Sequence, residues 1–164
     1  MTFSCCVESI VGPLTVVSDE SVVTAIRFGR MLDNGDDAVR PDVLRQAVQE
    51  LNDFFVGKRH VFTVPVGPVG TPFQQEVWAA LRAIPYGETR SYRDIARAVG
   101  RPAACRAVGM ANHDNPIPII IPCHRVVGAD GRLTGYAGGL EIKSRLLRLE
   151  QEQSACADLF FSAQ

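Results

Sequence analysis

The sequence predicts a small α/β lobe, an antiparallel sheet with one helix, followed by a mostly α-helical C-terminal domain containing a helix-turn-helix. Three observations carry that prediction. Two β-branched, apolar segments flank a polar turn near the start, a Gly/Pro-rich break interrupts the chain near residue 70, and a succession of capped helical patterns follows it. The break sets the expected domains at residues 1–70 and 71–164.

In the first lobe, residues 14–17 and 22–28 are the apolar segments, and Ser18–Asp19–Glu20–Ser21 between them reads as a hairpin turn. Asn34–Gly35–Asp36–Asp37 is a loop by composition. Pro41 opens a helix whose apolar residues Leu44, Ala47, Val48, Leu51 and Phe55 recur at helical spacing, and Gly57 closes it. Val61–Val66 is a candidate returning strand. Nothing in this half has the look of a reaction centre.

Gly67–Pro68–Val69–Gly70–Thr71–Pro72 is the linker, and Thr71 doubles as an N-cap. Pro72 sits at the first helical position and Gln74 completes a capping box. The helix that follows is expected to bury Phe73, Val77, Leu81 and Ile84, with a turn at Pro85–Tyr86–Gly87–Glu88. Ser91 then caps a short helix, with Asp94 three residues on and Ile95, Ala96 and Val99 as its apolar stripe. After Gly100–Arg101–Pro102 a second short helix, Ala103–Asn112, is crowded with small residues. This pair fits a helix-turn-helix, although most sequences with this pattern are only packed helix pairs. Major-groove reading helices carry Arg, Asn or Gln, whereas a small-faced helix with one arginine suits close approach to a backbone or a shallow groove.

Composition narrows the class. Of 164 residues, 46% are hydrophobic and 21% charged, ordinary for a soluble globular protein. No apolar run approaches the roughly 20 residues of a membrane span. No basic start precedes an apolar stretch at Met1–Ser9, so no export signal is expected and a cytoplasmic location is the default. The five cysteines are odd in number, Cys5 and Cys6 are adjacent, and there is no Cys-x-x-Cys pair, which disfavours a disulfide or zinc framework. Free thiols follow, and one reactive cysteine stays open beside the commoner buried, inert one. The net charge of −1 hides an asymmetry: residues 86–148 hold ten basic against five acidic side chains, a local +5, which fits a phosphate-binding half or merely a basic face.

Asn115–Pro116–Ile117–Pro118 leads into Ile119–Ile120–Ile121, read as a hydrophobic strand that delivers Pro122–Cys123–His124–Arg125. A nucleophilic thiol needs a base within reach and a third group to orient that base. Cys123 with His124 meets the first need, though a structural cysteine fits the dipeptide equally. Gly135–Tyr136–Ala137–Gly138–Gly139 is a Gly-rich bend suited to close approach of a ligand. The next helix, Leu140–Glu150, is expected to bury Leu146, Leu147 and Leu149 and to end on Glu150, a carboxylate available to a histidine or a solvated acid.

At this point Ile-Pro-Cys-His-Arg-Val-Val (121–127) resembles the active-site motif of the O6-alkylguanine-DNA alkyltransferases, the methylated-DNA–protein-cysteine methyltransferases. Arg106–Ala107–Val108–Gly109, Asn115–Pro116, Gly135–Tyr136–Ala137–Gly138–Gly139, Lys143 with Leu146–Leu147 and Glu150, Pro85–Tyr86–Gly87–Glu88–Thr89 and Ser91–Tyr92 extend the resemblance over about 71–150. It implies a protein that moves an alkyl group from O6 of guanine, and from O4 of thymine, irreversibly onto Cys123. His124 would act as base through a bridging water, with Glu150 holding the imidazole, the logic of a catalytic triad. Tyr92 would donate to the leaving guanine. The carbonyls of Cys123 and Val126 would accept from its amino group, and Tyr136, Ala137 and Gly138 would complete the pocket. Asn115 would brace the helix pair, while Arg106, with Ala107, Gly109 and Ser91 at the DNA face, would fill the space of an extruded base from the minor groove. The partner implied is double-stranded DNA carrying O6-alkylguanine. A monomer, cooperative on DNA, with no cofactor, metal or membrane, is expected.

The sequence departs from the family in three ways. Ala137 stands where a serine is frequent, leaving only a backbone N–H near O6. His113 and Asp114 replace a small or basic pair, and Asp114 should weaken DNA affinity slightly by repulsion. Cys5, Cys6 and His60 do not reproduce the first-lobe zinc ligands of some relatives. Rival readings are a lesion-flagging module of the same fold, which lacks the cysteine; a cysteine hydrolase using Cys123–His124–Glu150, which lacks an evident oxyanion hole; and a transcription regulator, which lacks an effector domain.

Overall fold

The structure, a computed structural model, describes residues 1–31 and 40–162; the loop expected at 34–37 lies outside them. It divides into two compact units, Met1–Val69 with Pro116–Ile120, and Gly70–Asn115 with Ile121–Gln164.

In the first unit, β1 (Phe3–Val7), β2 (Leu14–Ser18) and β3 (Val23–Phe28) form an antiparallel sheet in sequence order. The expected hairpin is β2–β3, and its turn is closed by Asp19, whose carboxylate accepts from the backbone of Ser21 and Val22 at 2.7 and 2.8 Å. Helix α1 (Asp42–Phe55) buries Leu44, Ala47, Leu51 and Phe54 in the same core as Leu14, Val16 and Val23.

Residues 61–66 do not form the expected strand. Only Val66 bridges the sheet, beside Val23. Pro65 has no N–H to give a ladder, and the N–H groups of Thr63 and Val64 are taken by the buried carboxylate of Glu50 at 2.7 and 3.1 Å.

The second unit begins with α2 (Pro72–Arg82), whose N-terminus carries the expected Thr71–Gln74 capping box. It buries Val77, Trp78 and Leu81, and the indole of Trp78 donates to the Ala111 carbonyl at 2.8 Å. Phe73, expected in the core, is half-buried, with the Arg101 guanidinium 5.3 Å from its ring centre. Strand β4 (Arg90–Ser91) runs into α3 (Tyr92–Ala98), which Ser91 and Asp94 cap as expected. The chain breaks at Gly100, where φ is +75°, and α4 (Cys105–His113) packs on α2 and α3. Its buried face is Val108, Ala111 and Asn112, while Arg106, Ala107, Met110 and His113 are exposed.

Two further expectations fail. The isoleucines at 119–121 are buried but are not a strand: prolines at 116, 118 and 122 deprive the segment of ladder donors, and Ile119 holds φ at +75°. A β-branched residue there costs about 1–3 kcal/mol. The last helix, α5, runs from Leu140 to Ser162 rather than stopping at Glu150, because residues 151–162 contain neither Gly nor Pro to end it.

Candidate active site

Residues 123–125 form a single 3-10 turn in which Cys123, His124 and Arg125 are all buried. It continues as β5 (Val126–Val127), which pairs in parallel with β4 and so ties the turn to the start of α3. Facing it, α5 presents Lys143 and Glu150, two helical turns apart and therefore on one face; they are 0% and 1% exposed.

Glu150 organises the cluster. One carboxylate oxygen hydrogen-bonds His124 Nε2, and the other accepts from Arg125 Nε at 2.7 Å and from the Gly87 N–H at 3.1 Å. Arg125 in turn donates to the Ile84 carbonyl at 2.7 Å and lies over the Tyr86 ring. Gly87 has φ +80°, and a Cβ there would run into the Ser154 side chain. That close approach is what the turn at 85–88 needs glycine for.

Charge compensation is local. Burial acts to raise the Glu150 carboxyl, but the hydrogen bonds and charges of His124 and Arg125 outweigh it and hold the group at about 2. Burial also lowers His124, overcoming its bond to Glu150. With burial dominant and the charges of Arg125 and Lys143 acting the same way, the pair at neutral pH is a neutral imidazole against an ionised carboxylate. Nε2 then carries the hydrogen, and Nδ1 presents a lone pair that is buried and has no partner among the described residues. Nδ1 is thus an unpaired basic nitrogen on the residue that follows Cys123, and so a candidate proton acceptor.

The thiol is that of Cys123. Burial pushes it up to about 11, against the hydrogen bond of Asn115, the charge of Lys143 and the hydrogen bond of Tyr136, which all lower it. It is protonated at neutral pH and needs a base to become a nucleophile. Asn115, itself buried, also donates to the Ile121 carbonyl at 2.8 Å, bracing the segment before the cysteine. Asn112 donates to the Cys123 carbonyl at 3.4 Å.

The second unit also has an open cleft of about 390 Å³, lined by Tyr92, Arg106, Gly109, His113, Thr134 and Gly135, among others; none of the buried cluster's side chains lines it. Val126 is buried, Gly138 half-buried and Ala137 exposed; Ala107 is exposed on α4. The Ser91 hydroxyl is occupied as the α3 cap, accepting from Asp94 at 3.1 Å. Sequence reasoning gave no role to Arg125, Lys143, Asn112 or Thr134. A basic residue inside a buried motif, and a lysine in register with Glu150 on an apolar helix face, were the available signals. Among the described residues no three His, Cys, Asp or Glu side chains converge as a metal site, and no helix is long and apolar enough to cross a membrane.

A buried cysteine followed by a histidine that pairs with a buried glutamate is the equipment of a protein with chemistry at a thiol. The family model described as "6-O-methylguanine DNA methyltransferase, DNA binding domain" matches residues 72–152, and the one described as its "ribonuclease-like domain" matches 5–68. The chain belongs to the methylated-DNA–protein-cysteine methyltransferase family. It is 48% identical over 147 residues to the member from Methanosarcina acetivorans, covering 87% of this chain and 94% of the relative. It is 49% identical over 159 residues to the Mycobacterium tuberculosis member, covering 93% and 94%. The crystal structure of Mycobacterium tuberculosis OGT in complex with DNA superposes with a TM-score of 0.82 at 46% identity, over 92% of this chain and 93% of that one.

Proposed function

We propose that this protein repairs DNA by moving a methyl or larger alkyl group from O6 of guanine onto Cys123, once per molecule. The observation that carries the reading is the buried His124–Glu150 pair, whose histidine follows the buried Cys123 in the chain and whose imidazole Nδ1 has no hydrogen-bond partner among the described residues. The relatives' shared name as methylated-DNA–protein-cysteine methyltransferases, and a neighbour crystallised with DNA, support it.

In this reading His124 Nδ1 takes the Cys123 proton, directly or through one water, and Glu150 steadies the imidazolium. The sulfur attacks the alkyl carbon, and the carbon–O6 bond breaks with its electron pair going to O6. The proton held by His124 is finally transferred to the purine, leaving ordinary guanine and a thioether. Tyr92 donates to the ring as it gains charge. A thioether has no carbonyl for water to attack, so the thiol does not return. Alkylated O4 of thymine is a second substrate of the same site.

The helix pair α3–α4 serves as a helix-turn-helix that enters the minor groove. Its small residues, exposed Ala107 and half-buried Gly109, admit the DNA closely, and Arg106 fills the gap left by a flipped nucleotide. Flipping costs a few kcal/mol, which the basic stretch from 86 to 148 offsets through phosphate contacts. Asn115 acts by bracing, while Val126, Tyr136, Ala137 and Gly138 wall the pocket. Residues 71–164 hold this machinery and 1–70 the supporting lobe, in a cytoplasmic monomer that needs no metal or cofactor and binds DNA cooperatively. Incubation with excess O6-methylguanine duplex tests the reading: transfer should plateau at one methyl per protein. Continuous turnover would contradict it and favour a hydrolase.

A further inference from the structure

The Tyr92 hydroxyl and the Thr134 hydroxyl are 2.7 Å apart, and both line the cleft beside α4. Thr134 comes from the segment between β5 and α5, 42 residues further along the chain. Its backbone is held independently of its side chain, because the buried Lys143 ammonium donates to the Thr134 carbonyl at 2.8 Å. On its other side the Tyr92 ring lies against Gly109, where an added Cβ would meet it at ordinary contact distance, 3.9 Å. Tyr92 is therefore located by α4 at its ring and by Thr134 at its oxygen.

Two hydroxyls in one contact have two hydrogens but only one to share, and the choice has a consequence for a guest in the cleft. If Tyr92 donates to Thr134, it has no hydrogen left for a base. If Thr134 donates to Tyr92, the phenolic hydrogen is directed away from Thr134, and each bond in the chain strengthens the other. A donor into the phenol oxygen also stabilises the charge that grows there as the phenol gives up its hydrogen.

We propose that Thr134 is a positioning residue for alkyl transfer: anchored by Lys143, it donates into the Tyr92 oxygen and aims the phenolic O–H at the departing base. The inference rests on the donor role given to Tyr92 above. Thr134 does not touch the reacting atoms; it acts through Tyr92.

The test compares Thr134→Val, which keeps the shape and removes the hydroxyl, with Thr134→Ser, which keeps the hydroxyl. Single-turnover transfer from O6-methylguanine duplex is measured for each in the full chain, alone and combined with Tyr92→Phe. Thr134→Val should slow transfer roughly tenfold, less than the roughly 100-fold of a 1 Å misplacement, because the Tyr92 ring keeps its place against Gly109. Thr134→Ser should restore the rate to within about twofold of the original on the same ground. In the Tyr92→Phe background Thr134→Val should add nothing, since the hydroxyl it serves is gone. Thermal melts and duplex affinity of Thr134→Val should match the unmodified protein. Wild-type speed in Thr134→Val, equal losses for Val and Ser, or full additivity with Tyr92→Phe would each overturn the proposal while leaving the Tyr92 assignment intact. Wild-type speed in Tyr92→Phe would overturn that assignment, and this proposal with it.

Discussion

Each unit of this protein buries one glutamate, and the two are put to different uses. Glu50 in the first unit is 2% exposed and Glu150 in the second 1%. The Glu50 carboxylate is satisfied chiefly by neutral donors: the N–H groups of Thr63 and Val64, the Thr63 hydroxyl and the Gln46 amide. Arg59 approaches only to 4.0 Å, and its own side chain is 31% exposed. Glu150 is satisfied by a titratable imidazole, a buried guanidinium and one N–H. Both carboxyls sit below their ordinary value despite burial. The difference is in what the carboxylate holds: Glu50 holds backbone, whereas Glu150 holds a titratable imidazole and a buried guanidinium. Burial of an acid locates a site of strain or order; the identity of its partners says whether chemistry follows.

Replacing each acid by its amide separates the two uses and should give the largest effects. Glu150→Gln leaves the Arg125 cation buried without its partner and should destabilise the fold by about 3–5 kcal/mol. Among molecules that remain folded, it should slow methyl transfer at least about 100-fold, since the base loses its orienting anion. Glu50→Gln should cost about 1–3 kcal/mol, through donors left unsatisfied, with an unchanged transfer rate per folded protein. Denaturant melts and single-turnover rates on the same samples check both, and a transfer defect in Glu50→Gln would erase the contrast.

Arg106 sharpens the contrast from the DNA side, because the proposed function gives it access to the base rather than chemistry on it. Arg106→Ala should slow repair of duplex O6-methylguanine about tenfold, a loss of about 1.4 kcal/mol from a flipping step that costs a few. Reaction with the free base O6-benzylguanine should change little. Equal losses on the two substrates would place Arg106 in the chemical step.

The smallest effect is on pH dependence. His124 and Glu150 both have folded values below their ordinary ones of 6.5 and 4.5. Each therefore binds protons more weakly in the folded than in the unfolded chain, and the stability it contributes is present above the ordinary value and lost as pH falls. The melting temperature should begin to drop below pH 6.5 and continue through 4.5 towards about 2. Glu150→Gln should flatten the lower part of that curve. A profile level across the whole range would contradict the protonation states assigned to the pair.

What the sequence disclosed follows from how far apart the interacting residues are. The capping boxes at Thr71–Gln74 and Ser91–Asp94 lie within four residues and were legible as written. So were the Cys123–His124 dipeptide and the β2–β3 hairpin. The strand β1 was not, because Phe3-Ser-Cys-Cys-Val has no clear alternation and is defined by its partner β2. The lost strand at 61–66 depended on a carboxylate 13 residues earlier. The Gly87 support of Glu150 spans 63 residues and the Tyr92–Thr134 contact 42, and neither leaves a periodic trace. Resemblance to a known family named the candidate reacting residues; only the fold disclosed the burial that lowers His124, with the Arg125 charge adding to it.

The account stands on Cys123 as the acceptor. Intact-mass measurement after incubation with O6-methylguanine duplex, followed by peptide mapping, tests that most directly. The protein should gain the mass of one methyl group less a hydrogen, wholly on the peptide containing Cys123, and Cys123→Ala should gain none while still binding the duplex. Methyl found on Cys5, Cys6, Cys105 or Cys156, or undiminished transfer in Cys123→Ala, would contradict it.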